Sequence, residues 1–198
     1  IDEYDQKYNL VYSSRTVIKN EFINPKQKPG GYYSDDVWGY WAKKLDGLIP
    51  QDYCIYGEIV GFTPNGSPIQ KGYDYGCTPV VEEKSKLMVY RATKAGKELE
   101  ISEVIEIGTM LKEKLGDIIM PFPLLYHGTL HNLYPDVDVQ DHWHENVLEL
   151  LKTEKKFKME EMEPLCKTKV PREGFVLRKG NDPVSEAWKL KTDKFKFR

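Results

Sequence analysis

Glu173-Gly174-Phe175-Val176-Leu177-Arg178, followed by Ala187-Trp188-Lys189-Leu190-Lys191, is the stretch whose reading decides the fold. Phe175 to Leu177 is a short apolar run fenced by charge and by Gly180, which predicts a strand. Glu173 stands at the mouth of that strand beside a glycine, a residue that lets a ligand approach the backbone closely. Asn181-Asp182-Pro183 predicts a turn. Ala187 to Lys191 alternates, so Lys189 and Lys191 share one face and Trp188 and Leu190 the other. One strand thus offers a carboxylate and its neighbour two amines. A magnesium nucleotide asks for that set: an oxygen ligand for the metal and point charges for the phosphates. For either strand alone, the plain reading is an amphipathic strand with solvated charges.

Composition bounds the rest. A chain of 198 residues can bury a real core as one domain, with or without a small appendage. Hydrophobic residues at 40% and a Tyr count of 13 exclude a disordered chain. No apolar run approaches membrane length and no secretory signal opens the chain, so no membrane partner is expected. Cys54, Cys77 and Cys166 lie far apart and are odd in number, which fits a reducing, cytoplasmic setting and no disulfide framework. A formal net charge of -2 excludes a globally basic coat, so any polyanion site must be local. A monomer is the expected state.

Upstream, Leu10-Val11-Tyr12 predicts a short strand running into Ser13-Ser14-Arg15-Thr16. A hydroxyl-rich turn with one Arg suits a phosphate or ribose contact; an ordinary polar turn is the plain alternative. Asn24 to Tyr33, rich in Pro, Gly and Lys, predicts a surface loop. Asp35 or Asp36 caps a helix from Val37 to about Leu45, with Trp38, Trp41 and Leu45 on one side. Cys54 to Phe62 is an apolar run interrupted by Glu58. It predicts a buried strand in which the carboxylate is costly unless paired or liganded. Pro64 to Pro68 predicts a turn, and its Asn65-Gly66-Ser67 sequon has no role in a reducing compartment.

Leu87 to Ala92 predicts another strand, and Ile101 to Leu115 a helix with Val104, Ile105, Gly108 and Leu111 inward. Asp117 to Leu125, broken by Pro121 and Pro123, predicts an edge strand or irregular chain. A helix from Trp143 to Lys152 carries Val147, Leu148 and Leu151 on its apolar side, with His142 and His144 at a solvated start. With His127, His131 and Cys166 these histidines form only a loose cluster, lacking the tight pairs and second Cys that zinc wants. Lys152 to Lys158 is a basic run, a solvated face or a guide for a phosphate backbone.

These segments, in this order, resemble the motifs of the covalent nucleotidyltransferases, the superfamily of ATP-dependent RNA and DNA ligases and mRNA-capping guanylyltransferases. Ser13 to Thr16 resembles motif Ia of RNA ligases, Cys54 to Phe62 motif III, Leu87 to Ala92 motif IIIa, Glu173 to Arg178 motif IV, and Lys189-Leu190-Lys191 motif V. Ile69 to Gly76 resembles the segment that precedes motif IIIa. The likeness to RNA ligases in particular extends over Gly72 to Arg91 and Asn146 to Arg178.

The resemblance implies an α+β nucleotidyltransferase domain over 1–198, an ATP-grasp-like ligase adenylation domain whose antiparallel sheets are flanked by helices. It implies ATP and Mg2+ (or Mn2+) as cofactors and an ATP-dependent RNA ligase. Such an enzyme joins 5'-phosphate and 3'-hydroxyl RNA ends through enzyme-adenylate and polynucleotide-adenylate intermediates. A DNA ligase is the alternative, as is a non-catalytic nucleotide- or nucleic-acid-binding relative. By resemblance, Glu173 holds the metal and Glu58 the ribose or the metal. Lys189 and Lys191 hold the α-phosphate. Gly57 and Tyr90 contact the nucleotide, Tyr90 flanking the adenine with Met88 and Arg91 as alternatives. Arg15 seats the nucleic-acid terminus or the adenylate phosphate.

Lys44-Leu45-Asp46-Gly47 spells the Lys-x-Asp-Gly of the family's nucleophile, but it follows Arg15 where that lysine precedes motif Ia. It reads instead as a helix end with Gly47 as its stop. The nucleophile is therefore expected ahead of Ile1, in a longer protein.

Overall fold

A computed structural model of the protein describes residues 10–19, 35–138, 140, 142–157, 161–180 and 186–196. The chain is mixed α+β and divides into two compact units: Ile1–Lys71 with Gly76–Pro121, and Gly72–Tyr75 with Phe122–Arg198. The expected loop at Asn24 to Tyr33 and the turn at Asn181-Asp182-Pro183 lie outside the described residues.

In the first unit, helix α1 (Val37–Leu45) starts where the sequence places it, with the Asp36 carboxylate accepting from the Gly39 N–H at 3.0 Å. Val37, Trp41 and Leu45, four residues apart, form its buried stripe, and the Trp41 indole donates to Ser85 Oγ at 2.9 Å. Strand β1 (Tyr53–Gly61) pairs antiparallel with β2 (Ser85–Lys94). Ala95 and Gly96, with φ of 48° and 78°, turn β2 back into β3 (Lys97–Glu98), and two successive positive φ values suit a tight hairpin. Helix α2 (Ile101–Leu115) follows, then β4 (Ile119–Met120), which lies parallel to β2 at Leu87 and Met88. A parallel partner two residues long is what the flanking prolines leave room for.

Four sequence expectations change here. Among the described residues Leu10 to Tyr12 forms no strand, and the pairing found next to it is the isolated bridge Ser13–Ile18. Helix α2 buries Val104 and Leu111, but Ile105 turns outward at 43% exposure because it is one residue off that stripe. β1 is not a fully buried strand, since only Val60 and Gly61 within it are buried. Glu58 is exposed, so the cost of burying its charge does not arise.

In the second unit, helix α3 (Leu130–Leu133) and helix α4 (Trp143–Thr153) pack over a hairpin of β5 (Gly174–Arg178) and β6 (Ala187–Lys191). The core joins Tyr134, Val147, Leu151 and Phe175, with Leu177 and Leu190 against it. Phe157 meets Phe175 edge to face at 6.3 Å. Each such side chain contributes about 1.5–3 kcal/mol on burial. Gly72–Tyr75 is strapped to the chain before β5. The Tyr73 hydroxyl donates to Pro171 O at 2.9 Å, Thr168 Oγ1 to Gly72 O at 3.0 Å, and the Lys167 N–H to Asp74 O at 2.7 Å. Helix α5 (Asp193–Lys196) closes the described chain. No helix among the described residues is long and apolar enough to cross a membrane.

Candidate functional site

The β5–β6 register decides which groups meet. Gly174 opposes Lys191, Val176 opposes Lys189, and Phe175 opposes Leu190. Alternation sends Phe175, Leu177 and Leu190 into the core and leaves Val176, Lys189 and Lys191 exposed. The Glu173 carboxylate lies over the two amines. Lys189 Nζ donates to Glu173 Oε1 at 2.6 Å, and Lys191 Nζ stands 3.8 Å from the same oxygen. All three side chains keep between 38% and 49% of their surface exposed, so a ligand can reach them.

At Gly174 the neighbouring strand comes close. The glycine's φ is 151°, and a Cβ there would run into the Leu190 carbonyl oxygen of the neighbouring strand. The close approach it permits is that of the protein's own backbone at Leu190.

The flanks of Glu173 are held by residues that sequence reasoning passed over. Thr192 is 1% exposed. Its N–H donates to Glu173 O at 3.0 Å and its hydroxyl to Arg172 O at 2.6 Å. Arg172 in turn donates from Nη1 to Phe157 O at 3.0 Å and lies 5.3 Å from the Phe175 ring centre. The available signal was local: Thr followed by Asp before a short charged run reads as a helix cap. His144, expected at a solvated helix start, stacks on Trp188 of β6 at 4.8 Å and 16°. Only the fold brings α4 to that strand.

Glu58, Gly57 and Tyr90 belong to the first unit. Glu58 opposes Met88 on β2, and the register skips Tyr90, because Tyr56 opposes Arg91 while Gly57 opposes Val89. This bulge leaves Tyr90 at 42% exposure on the Met88 face, the face Glu58 also occupies. A Cβ on Gly57 would come within 2.7 Å of Leu87 Cδ1 and 2.9 Å of Met88 O, so strand packing already demands a glycine. Arg91, an alternative to Tyr90, is committed elsewhere. Its Nε donates to Glu98 Oε1 at 2.8 Å and its guanidinium lies 4.1 Å from the Tyr56 ring centre. The hydrogen bond to Glu98 pushes its pKa up.

Arg15 sits exposed at the tip of a tight turn closed by the Ser14 N–H donating to Val17 O at 2.9 Å. Lys44 lies in the last turn of α1 and ion-pairs with Glu83 at 2.6 Å. The Tyr40 hydroxyl takes the other oxygen of that carboxylate at 2.8 Å. Burial pulls the Lys44 ammonium down, but its hydrogen bonds to Glu83 and Tyr40 outweigh this and hold its pKa above the ordinary lysine value. A nucleophilic lysine needs the opposite shift.

Among the described residues no three His, Cys, Asp or Glu side chains gather as a ligand set for an ion. Glu173 nevertheless fits a magnesium ion that arrives with a nucleotide. Mg2+ is usually held by one or two carboxylates together with phosphate oxygens and water. No protein-family model matches the chain, and no curated protein or solved structure matches it.

Proposed function

We propose that the chain is the nucleotidyltransferase domain of an ATP-dependent RNA ligase, and that the β5–β6 hairpin is its nucleotide phosphate site. The observation that carries this reading is the meeting of Glu173 with Lys189 and Lys191 at 2.6 and 3.8 Å on an exposed strand face. One carboxylate between two ammonium groups leaves a positive charge in excess, which suits a phosphate. In this reading Lys189 and Lys191 bind and orient the α-phosphate and offset its negative charge. Glu173 is the carboxylate that would hold the Mg2+ of a magnesium nucleotide. The ion, when bound, supplies Lewis-acid neutralisation of phosphate charge. Within the first unit, Tyr90 presents a flat face suited to an adenine beside Glu58, which suits a ribose or a metal; Gly57 keeps that strand closely packed, and Arg15 suits an RNA end. Each charge-assisted contact removed costs about 2–4 kcal/mol of transition-state binding.

A non-adenylating, nucleotide-binding role for this chain is the second reading. It is favoured by the commitment of Lys44 to Glu83 and Tyr40. Calorimetry with ATP and magnesium tests both. Saturable binding that Glu173→Ala and Lys189→Met each weaken supports the hairpin site, and no heat at millimolar ATP would overturn it. α-Labelled ATP then separates the readings. A covalent band that Lys44→Met removes would reinstate Lys44 as the nucleophile. Sealing of nicked duplexes with RNA or DNA 3' ends sets the substrate.

A further inference from the structure

We infer that Thr192 is a positioning residue of this site, acting through the backbone of Glu173; the inference rests on the reading just given. Every polar group of Thr192 is used. The N–H donates to Glu173 O at 3.0 Å, the hydroxyl donates to Arg172 O at 2.6 Å and accepts from the Phe195 N–H at 3.2 Å, and the carbonyl accepts from the Lys196 N–H at 3.2 Å. The residue directly follows Lys191 and extends the β5–β6 pairing by one step past Gly174–Lys191. It therefore ties the acid-bearing end of one strand to the lysine-bearing end of the other. At 1% exposure, water cannot replace these bonds, so losing the hydroxyl leaves the Arg172 carbonyl and the Phe195 N–H short of a partner.

The consequence reaches Glu173 because the Thr192 N–H bonds its carbonyl and the Thr192 hydroxyl bonds the carbonyl just before it. Gly174 follows with a φ of 151°, and the Glu173 side chain is half exposed. A small shift of that backbone separates a carboxylate from two amines that meet it at 2.6 and 3.8 Å. The Thr192 side chain itself points into the protein and makes its bonds to backbone groups, so its effect on a ligand is indirect.

The test uses calorimetry with ATP and magnesium on the full chain, with thermal melting to establish folding. Thr192→Val, close in shape but without the hydroxyl, is expected to weaken binding about tenfold, the size of one lost buried hydrogen bond. Thr192→Ser keeps the hydroxyl and is expected to bind within about twofold of the parent. In a Glu173→Gln background, Thr192→Val is expected to add no further loss, because the residue it positions is already disabled. A purely structural role would lower affinity equally in both backgrounds and would overturn the inference. So would parental affinity in folded Thr192→Val. If Thr192→Val does not fold, Thr192→Cys, whose thiol is a weaker donor, takes its place with an intermediate loss expected. Absence of ATP binding by the parent chain would overturn the phosphate-site reading itself, and this inference with it. Parental binding that Thr192→Val leaves intact would overturn the inference alone.

Discussion

Two carboxylates in this protein hold a lysine at the same 2.6 Å, Glu83 with Lys44 in the first unit and Glu173 with Lys189 in the second. The third partner separates them. Tyr40, a neutral hydroxyl, fills the other oxygen of Glu83. Lys191, a second cation, crowds the same oxygen of Glu173 that Lys189 already holds. The first trio pairs one acid with one lysine and bonds both carboxylate oxygens; the second sets two lysines against one acid. Distance alone does not tell a structural pair from a binding site. On the proposed reading, the charge left over after pairing is what suits the second trio to a phosphate.

The largest expected effect removes one trio and spares the other. Gly174→Ala places a Cβ against the Leu190 carbonyl oxygen at a left-handed φ, and should destabilise the protein by about 3 kcal/mol or more. Denaturant unfolding measures it. A loss below about 1 kcal/mol would show that the strands can part cheaply. Next, Lys189→Met and Lys191→Met should each weaken binding of ATP with magnesium about tenfold or more, at the scale of one charge-assisted bond. Lys44→Met should leave that affinity unchanged. Equal losses from Lys44→Met would erase the distinction between the two trios.

Glu173→Gln sharpens the comparison from the other side. The acid competes with any incoming anion for both lysines, so without magnesium the variant should bind inorganic pyrophosphate about two- to fivefold more tightly, the range of an exposed pair. Glu186→Gln removes the same charge beside Lys179, 3.8 Å away on the same hairpin, and should move that affinity less.

The smallest effect concerns Glu83→Gln. Burial raises the Glu83 carboxyl, but hydrogen bonds from Lys44 and Tyr40 outweigh it and hold the pKa below the ordinary carboxylate range. The stabilisation from that lowered value is present above the ordinary range and is lost as pH falls through the folded value. Lys44, held above its ordinary value, adds stability present below the ordinary lysine range, which fades as pH rises through the folded value. Between these limits Glu83→Gln should cost under about 1 kcal/mol, since both side chains are partly exposed. That cost should vanish in acid. A cost that persists at low pH would mean packing, not charge, holds the pair.

Much of this molecule was legible in one dimension. Asp36 capping α1, the span of α2, the buried stripe of Val147 and Leu151, and the alternation of Lys189 and Lys191 all follow from residue type and spacing, because caps and periodicities act over a few residues. Glu58 was misread for the same reason: an apolar neighbourhood in sequence does not say which face of a sheet is covered. The bulge at Tyr90, the stacking of His144 on Trp188, the need for Gly174 and the clamp of Thr192 on Glu173 join residues from separate elements. Register and packing decide those, since they depend on which strand lies alongside and on how little space is left between backbones.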